Sequence, residues 1–328
     1  VSTEGRFIHD ERRVNAMGSK YDHPPALQPT HRSLALLTLW WKLRMPGIRI
    51  LLAKRDIESA FKWLWVRLHE IGLFSTELPG EVLNVPGDIT VLSLCLTFGS
   101  VTAPGEYCAF ATTNKQYHEA FGPDCPEWHD TVPFQNRTLV DDGVLVEPEI
   151  GIRPYLSGMV YERGARYAFG KGAINQPKLE EEGAFDTSSL VWGLCYDTVA
   201  ETTTMPEVKV QKVRAVVNDT KFDHGSRAFS TKDVQILAGN IQYSSIPCPA
   251  MRPELGSVYR ILAITAPEQR TLPQFDQPQA GRTRRPRPDS DAGSVSGRPS
   301  PDTAEPGHNQ AYEEFWETIE QLRVLCEQ

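Results

Sequence analysis

Two hydrophobic periods share most of this chain, and both fade in one late segment. Short runs rich in β-branched residues at 48–52 and 89–96 predict strands. From 104 to 121 no breaker follows the opening Pro-Gly, which predicts a helix with proline in its first turn. The runs 138–140 and 144–146 flank Asp141-Asp142-Gly143, the pattern of a tight β-hairpin with two acids at its tip. Residues 155–169 predict another helix. Ser230, three residues before Asp233, makes a capping-box start for a helix carrying Val234, Leu237, Ala238 and Ile241. Near the C-terminus Phe315, Trp316, Ile319, Leu322 and Leu325 recur at helical spacing, an amphipathic helix either docked on the body or cut off from a continuation of the chain. Between Pro267 and Asn309 stand eight prolines among Ser, Gly, Asp and Arg with few aliphatics, so this stretch reads as a disordered linker. No internal repeat is visible.

Composition narrows the class. The chain has 328 residues, 40% apolar, 23% charged and 9% aromatic, which suits a globular protein with a real core. Its most apolar run, 34–41, is eight residues long, far short of the ~20 that span a bilayer, so no membrane partner is expected. The sequence opens on Val1 without a secretory pattern and reads as a fragment. Six cysteines without a C-x-x-C pair suggest neither a zinc ribbon nor a disulfide framework, and fit a reducing compartment, cytoplasmic or nuclear. The net charge is −8, but residues 1–70 carry 12 Lys+Arg against 7 Asp+Glu. Phosphates are therefore expected on that basic part.

The strongest chemical signal is Asp141-Asp142. Adjacent carboxylates between apolar strands repel each other unless a cation offsets them. Successive strand residues point to opposite faces, so both can aim at one spot only if the turn re-aims one. An acid from elsewhere must complete a metal site, and Asp56, just after an apolar strand, is the candidate. Strand-borne carboxylates facing each other suit Mg²⁺, which keeps waters and binds substrate phosphates.

In ordered series, these stretches resemble the reverse transcriptases of retroelements, from about Arg6 to Arg260. RFIHDERRVN resembles the fingers motif R-x-x-x-D-x-R-x-x-N through Arg6, Asp10, Arg12 and Asn15. KRDIESAF resembles the first catalytic motif, with Asp56 and, five residues on, Phe61. LTFGSVTAPGEY is similar to the second through Phe98, Gly99, Ala103 and Pro104, and LVDDGVLV to the third through Asp141 and Asp142. NQPK, ending in Lys178, and VWGLCYDT, through Gly193, resemble the fourth and fifth. The chain departs from the pattern at Thr97 (proline is usual), Tyr107 (phenylalanine) and Leu139 (an aromatic).

The resemblance implies an α+β right-hand polymerase. Fingers and a palm with an antiparallel sheet and flanking helices would occupy 1–205, and a small helical thumb-like region 206–263. The linker would run over 264–309, and an amphipathic helix over 310–328. It implies an RNA-directed DNA polymerase of a retrotransposon of the tyrosine-recombinase or long-terminal-repeat type, adding deoxynucleoside triphosphates to a primer on an RNA or DNA template. Other domains of a larger retroelement polyprotein would accompany it. Asp56, Asp141 and Asp142 would hold two Mg²⁺ ions, and Arg6 and Arg12 would meet the substrate. Phe61 would exclude a 2′-hydroxyl, Phe98 and Gly99 would line the nucleotide pocket, and Lys178 would protonate the leaving pyrophosphate. The alternatives are an inactive relic of the same fold that at most binds nucleic acid, and an interaction protein whose D-D-G turn is structural.

Overall fold

The computed structural model describes residues 11–123, 131–265 and 306–327. It divides into two compact units, Val1–Thr204 and Met205–Gln328. The class is α+β. The linker expected at 264–309 lies outside the described residues except at its ends, where one helix runs on to Thr265 and another begins at Pro306.

In the first unit, helices α1 (Arg12–Met17) and α2 (His31–Arg44) precede strand β1 (Ile50–Asp56). Then come β2 (Ser75–Leu78), α3 (Gly80–Leu83), β3 (Ile89–Leu92) and α4 (Ala103–Glu119). Strands β4 (Asn136–Leu139) and β5 (Asp142–Pro148) form a hairpin, followed by α5 (Arg153–Ala168) and α6 (Gln176–Glu182). Strands β6 (Ser188–Val191), β7 (Leu194–Asp197) and β8 (Thr202–Thr204) close the unit. The sheets are antiparallel, in the orders β1-β5-β4, β2-β3 and β6-β7-β8.

Strands β1 and β5 of the central sheet are buried over most of their length: Ile50, Leu52, Ala53, Val144, Leu145 and Val146 are each 0–1% exposed. That explains why the two strands read as apolar runs rather than alternating ones. β1 begins later than the pattern predicts and runs on through Lys54, Arg55 and Asp56. Arg55 can sit in the sheet, 6% exposed, because its guanidinium donates to Glu162 Oε1 (3.0 Å) and to the Gly183 carbonyl (2.7 Å). The predicted strand at 89–96 stops at Leu92, in a separate two-stranded ribbon. The helix predicted from Pro104 is α4, with proline in its first turn.

The D-D-G turn requires a correction. Leu139 pairs with Asp142, so the two-residue turn is Val140-Asp141, and both Asp142 and Gly143 belong to β5. Val140 takes φ +52°, a left-handed conformation costly for a β-branched residue. Gly143 is needed for a different reason: a Cβ there would lie 2.1 Å from the Tyr161 hydroxyl of α5.

A buried polar network ties β5 to α4 and α5. Arg153 donates to Glu147 Oε2 (2.6 Å) and to the carbonyls of Val132 and Pro133, and its guanidinium lies 4.7 Å from the Trp41 ring centroid. Ser157 and the Gln135 amide donate to Glu147 Oε1. His118 accepts from Asn136 at Nδ1, which leaves its Nε2–H to donate to Ser157. Burial pushes the His118 imidazole down to about 3, so it is neutral, and pushes the Glu147 carboxyl up to about 7 against the pull of Arg153.

The second unit is helical: α7 (Glu207–Val217), α8 (Thr231–Ser244), α9 (Leu255–Thr265) and α10 (Pro306–Glu327). Ser230 and Asp233 form the expected capping box. Helix α10 is docked, its stripe of Phe315, Trp316, Ile319 and Leu322 continuing to buried Cys326 and half-buried Leu325, against Val217, Leu237 and Ile261. No helix among the described residues is long and apolar enough to cross a membrane.

Candidate carboxylate site

The register of β1 on β5 sets Asp56 opposite Asp142. Directly opposed residues of antiparallel strands have Cα atoms ~4.5–5.5 Å apart, and like charges there repel. The pairing ends at the turn, where the Ile57 amide donates to the Asp141 carbonyl (3.1 Å). Three carboxylates therefore gather at one end of the central sheet. Val140, the strained residue, is the hinge that presents Asp141 beside Asp142.

The charges are partly balanced by the protein itself. Lys178 Nζ donates to Asp56 Oδ1 (2.7 Å) and Asn175 Nδ2 to Asp56 Oδ2 (2.9 Å). The Asn175 amide also donates to the Asp56 carbonyl (3.0 Å). Asn175 is the N-cap of α6, its Oδ1 accepting from the Lys178 amide, with proline in the first turn. N-Q-P-K is thus a helix start that aims two side chains at one aspartate.

Desolvation, then the charges of Asp141 and Asp56, push the Asp142 carboxyl up to about 6. The residue keeps an open side to solvent, so this crowding is partial. The Lys178 ammonium is held above the usual lysine value by its hydrogen bond to Asp56 and by the surrounding carboxylates. Lys54, on the same strand as Asp56 and paired with Glu182, is lowered by burial against the raising effect of Asp142.

An aromatic wall stands beside this cluster. Phe61, 8% exposed, meets Phe98 and Tyr107 edge-on with centroids 4.9 and 5.3 Å away, and Tyr107 stacks on Phe169 at 5.2 Å. Phe98 keeps 49% of its surface exposed. Tyr107 is fully buried with no hydrogen-bond partner for its hydroxyl, and burial holds its pKa well above the usual phenol value. Gly99 takes φ +115°, a conformation that favours glycine.

Helix α1 and Glu11, just before it, are tied to the same loop. Asn15 donates to the Gly99 carbonyl (2.8 Å) and accepts from the Val101 amide (2.8 Å), while Thr97 donates to buried Glu11 (2.8 Å). Arg12 opens α1 on the exposed surface. Arg6 and Asp10 lie outside the described residues.

The structure thus brings together Asp56, Asp141, Asp142 and Lys178, and sets Phe61 against Phe98 beside Gly99. Sequence reasoning missed Asn175, Glu11 and Gln28, whose Oε1 accepts from the Val140 amide (3.1 Å) and whose Nε2 donates to Cys108. Only Asn175 carried a readable signal, as Asn before Pro at a helix start.

Among the described residues no three His, Cys, Asp or Glu side chains are arranged to chelate a metal by themselves. The donor set at the sheet end, all carboxylate oxygen, nonetheless fits Mg²⁺, which takes one or two carboxylates and completes its octahedron with water and phosphate. Two cavities of about 250 and 330 Å³ lie elsewhere in the unit, against α2 and the β7–β8 turn.

No protein-family model and no curated protein matches the sequence. Among solved structures the chain is similar to a foamy viral protease-reverse transcriptase dRH in complex with double-stranded DNA, at 11% identity and TM-score 0.48 over 96% of this chain and 41% of that one. It is also similar to a foamy viral protease-reverse transcriptase in complex with an RNA/DNA hybrid, at 9% identity and TM-score 0.44 over 82% of this chain and 27% of that one. The chain spans less than half the length of either.

Proposed function

We propose that the first unit is the fingers and palm of an RNA-directed DNA polymerase of a retrotransposon, and the helical second unit its thumb-like region. The observation that carries this reading is the β1–β5 register, which sets Asp56 opposite Asp142 beside the Asp141 turn. Carboxylates opposed in this way are destabilising in a purely structural sheet. They are useful where a divalent cation must be held against a triphosphate.

Asp56, Asp141 and Asp142 are the residues that would hold magnesium, which when bound supplies charge neutralisation and in-line positioning for phosphoryl transfer. The protein's own residues define the rest. Phe61, held between Phe98 and Tyr107, would be the rigid ring that excludes a 2′-hydroxyl and so selects deoxynucleoside triphosphates. The exposed face of Phe98 and the open backbone of Gly99 line the nucleotide. Asn15 and Glu11 hold that loop on the segment carrying Arg12, which with Arg6 would meet the substrate phosphates. Lys178 Nζ is a proton donor within reach of the carboxylates, made reluctant by its bond to Asp56 and competent for a leaving pyrophosphate once released. The template is RNA or DNA with an annealed primer, and the remaining domains of a retroelement polyprotein would act with it.

The test is extension of an oligo(dT) primer on poly(rA) by the purified chain with Mg²⁺ and labelled dTTP, beside Asp141→Asn and Asp56→Asn. Incorporation by the wild type and its loss in both variants is expected. Template binding with no incorporation by any of them would replace this reading with that of a relic that only binds nucleic acid.

A further inference from the structure

Both carboxylate oxygens of Asp56 are occupied by groups of this chain, Oδ1 by the Lys178 ammonium and Oδ2 by the Asn175 amide. The two partners differ in kind. Asn175 is fixed: it caps α6 and its backbone is bonded to that of Asp56. Lys178 is held only at its tip, 52% exposed, on a flexible four-carbon stem over an aspartate that is 11% exposed. Its charge lies where Asp56, Asp142 and Asp141 converge, since all three act on it.

We propose that Lys178 is a built-in counter-cation of the carboxylate cluster, seated on Asp56 in the metal-free protein and displaced when a divalent cation takes that oxygen. The inference rests on the metal-binding reading above and adds a gate to it. A single charge on a swinging stem balances the opposed aspartates well enough to keep the strand ends paired. It yields to a double charge because three carboxylates attract the divalent ion more strongly. Asn175 stays, keeping the Asp56 carboxylate oriented while its other oxygen changes partner. Lys178 would then be free for the leaving phosphate only after the metal has entered, which orders the two events.

The test measures metal binding directly. Mn²⁺ is titrated into the full chain at low salt and free Mn²⁺ is read by its electron paramagnetic resonance signal, with Lys178→Met, Lys178→Arg and Asp56→Asn in parallel. Thermal melting is recorded for each with and without Mn²⁺. Lys178→Met is expected to bind Mn²⁺ about fivefold more tightly, the worth of one half-exposed ion pair. It should melt lower than wild type without metal and gain more on adding it, while Lys178→Arg stays near wild type. A residue that merely braced the fold would weaken metal binding and stability together. Unchanged or weaker Mn²⁺ binding by Lys178→Met, with binding lost in Asp56→Asn, would overturn the gate and leave the metal site standing. No Mn²⁺ binding by the wild type beyond that of Asp56→Asn would remove the metal-site reading, and the gate with it.

Discussion

Removing the Arg153 guanidinium should be among the most damaging single changes to the central sheet. Arg153 is 1% exposed and Glu147, on β5, is 0% exposed. In Arg153→Met the carboxylate keeps Ser157 and the Gln135 amide but loses the guanidinium that balances its charge, and the carbonyls of Val132 and Pro133 lose donors. Breaking a buried pair in this way costs about 3–5 kcal/mol, against a whole-domain stability of about 5–15 kcal/mol. Replacing both partners, Arg153→Met with Glu147→Leu, removes the stranded charge and should recover most of that loss. Native-state hydrogen exchange at the β5 amides reads the first unit without interference from the helical one. The pH dependence has a definite sign. Burial raises the folded carboxyl above its unfolded value, so its favourable contribution is complete below the unfolded value of about 4.3 and lost as pH rises through the folded one. With Arg153 gone, only the Ser157 and Gln135 hydrogen bonds oppose that shift. The single variant should therefore be closer to wild type at pH 5 than at pH 8. A loss under about 1 kcal/mol, or a double variant as unstable as the single, would refute the reasoning.

His118, neutral and buried, has a folded value depressed to about 3, so stability falls as pH drops below the unfolded value. Between pH 6.5 and 4.5 the His118 contribution should decline by roughly 2–3 kcal/mol, read in urea titrations as the difference in pH slope between wild type and His118→Asn, because the raised carboxyls of Glu147 and Asp142 act in the opposite sense in both proteins. Tyr107→Phe removes a buried hydroxyl without a partner and should raise stability by about 1 kcal/mol, visible as a higher melting temperature. Gly143→Ala puts a Cβ 2.1 Å from the Tyr161 hydroxyl and should cost about 1–3 kcal/mol, partly recovered by Tyr161→Phe. Phe61→Ala should lower the preference for dTTP over UTP by roughly tenfold or more in single-nucleotide incorporation, if the ring is the wall against the 2′-hydroxyl.

Local signals are legible where one segment satisfies itself. The proline start of α4, the Ser230–Asp233 capping box and the apolar stripe of α10 depend on neighbours within a turn or two, so their pattern survives in the bare sequence. Helix α2 escapes the pattern because its run at 34–41 is apolar on both faces: Leu34, Leu37 and Trp41 make the buried stripe, while Leu36, Leu39 and Trp40 face outward and mask its period. β1 reads short because Arg55 looks like a loop residue until Glu162 and Gly183, both more than 100 positions away, are brought to it.

The carboxylate site shows the same division at finer scale. Its acids can be named from the sequence, but which of them faces Asp56 depends on where the hairpin turns. Asp and Gly tolerate left-handed backbone and Val does not, so local propensity places the turn at Asp141-Asp142-Gly143. The chain instead turns at Val140-Asp141, and Gly143 is used to let Tyr161 against the strand. Moving a turn by one residue exchanges the faces of the strand beyond it. The penalty at Val140 must then be outweighed by burial of Val144, Leu145 and Val146 and by the network on Glu147, which fix β5 in register. The strain is thus held by tertiary packing several residues downstream. On this account the position of Asp142 opposite Asp56 is set by the core of the sheet and not by the acidic turn itself.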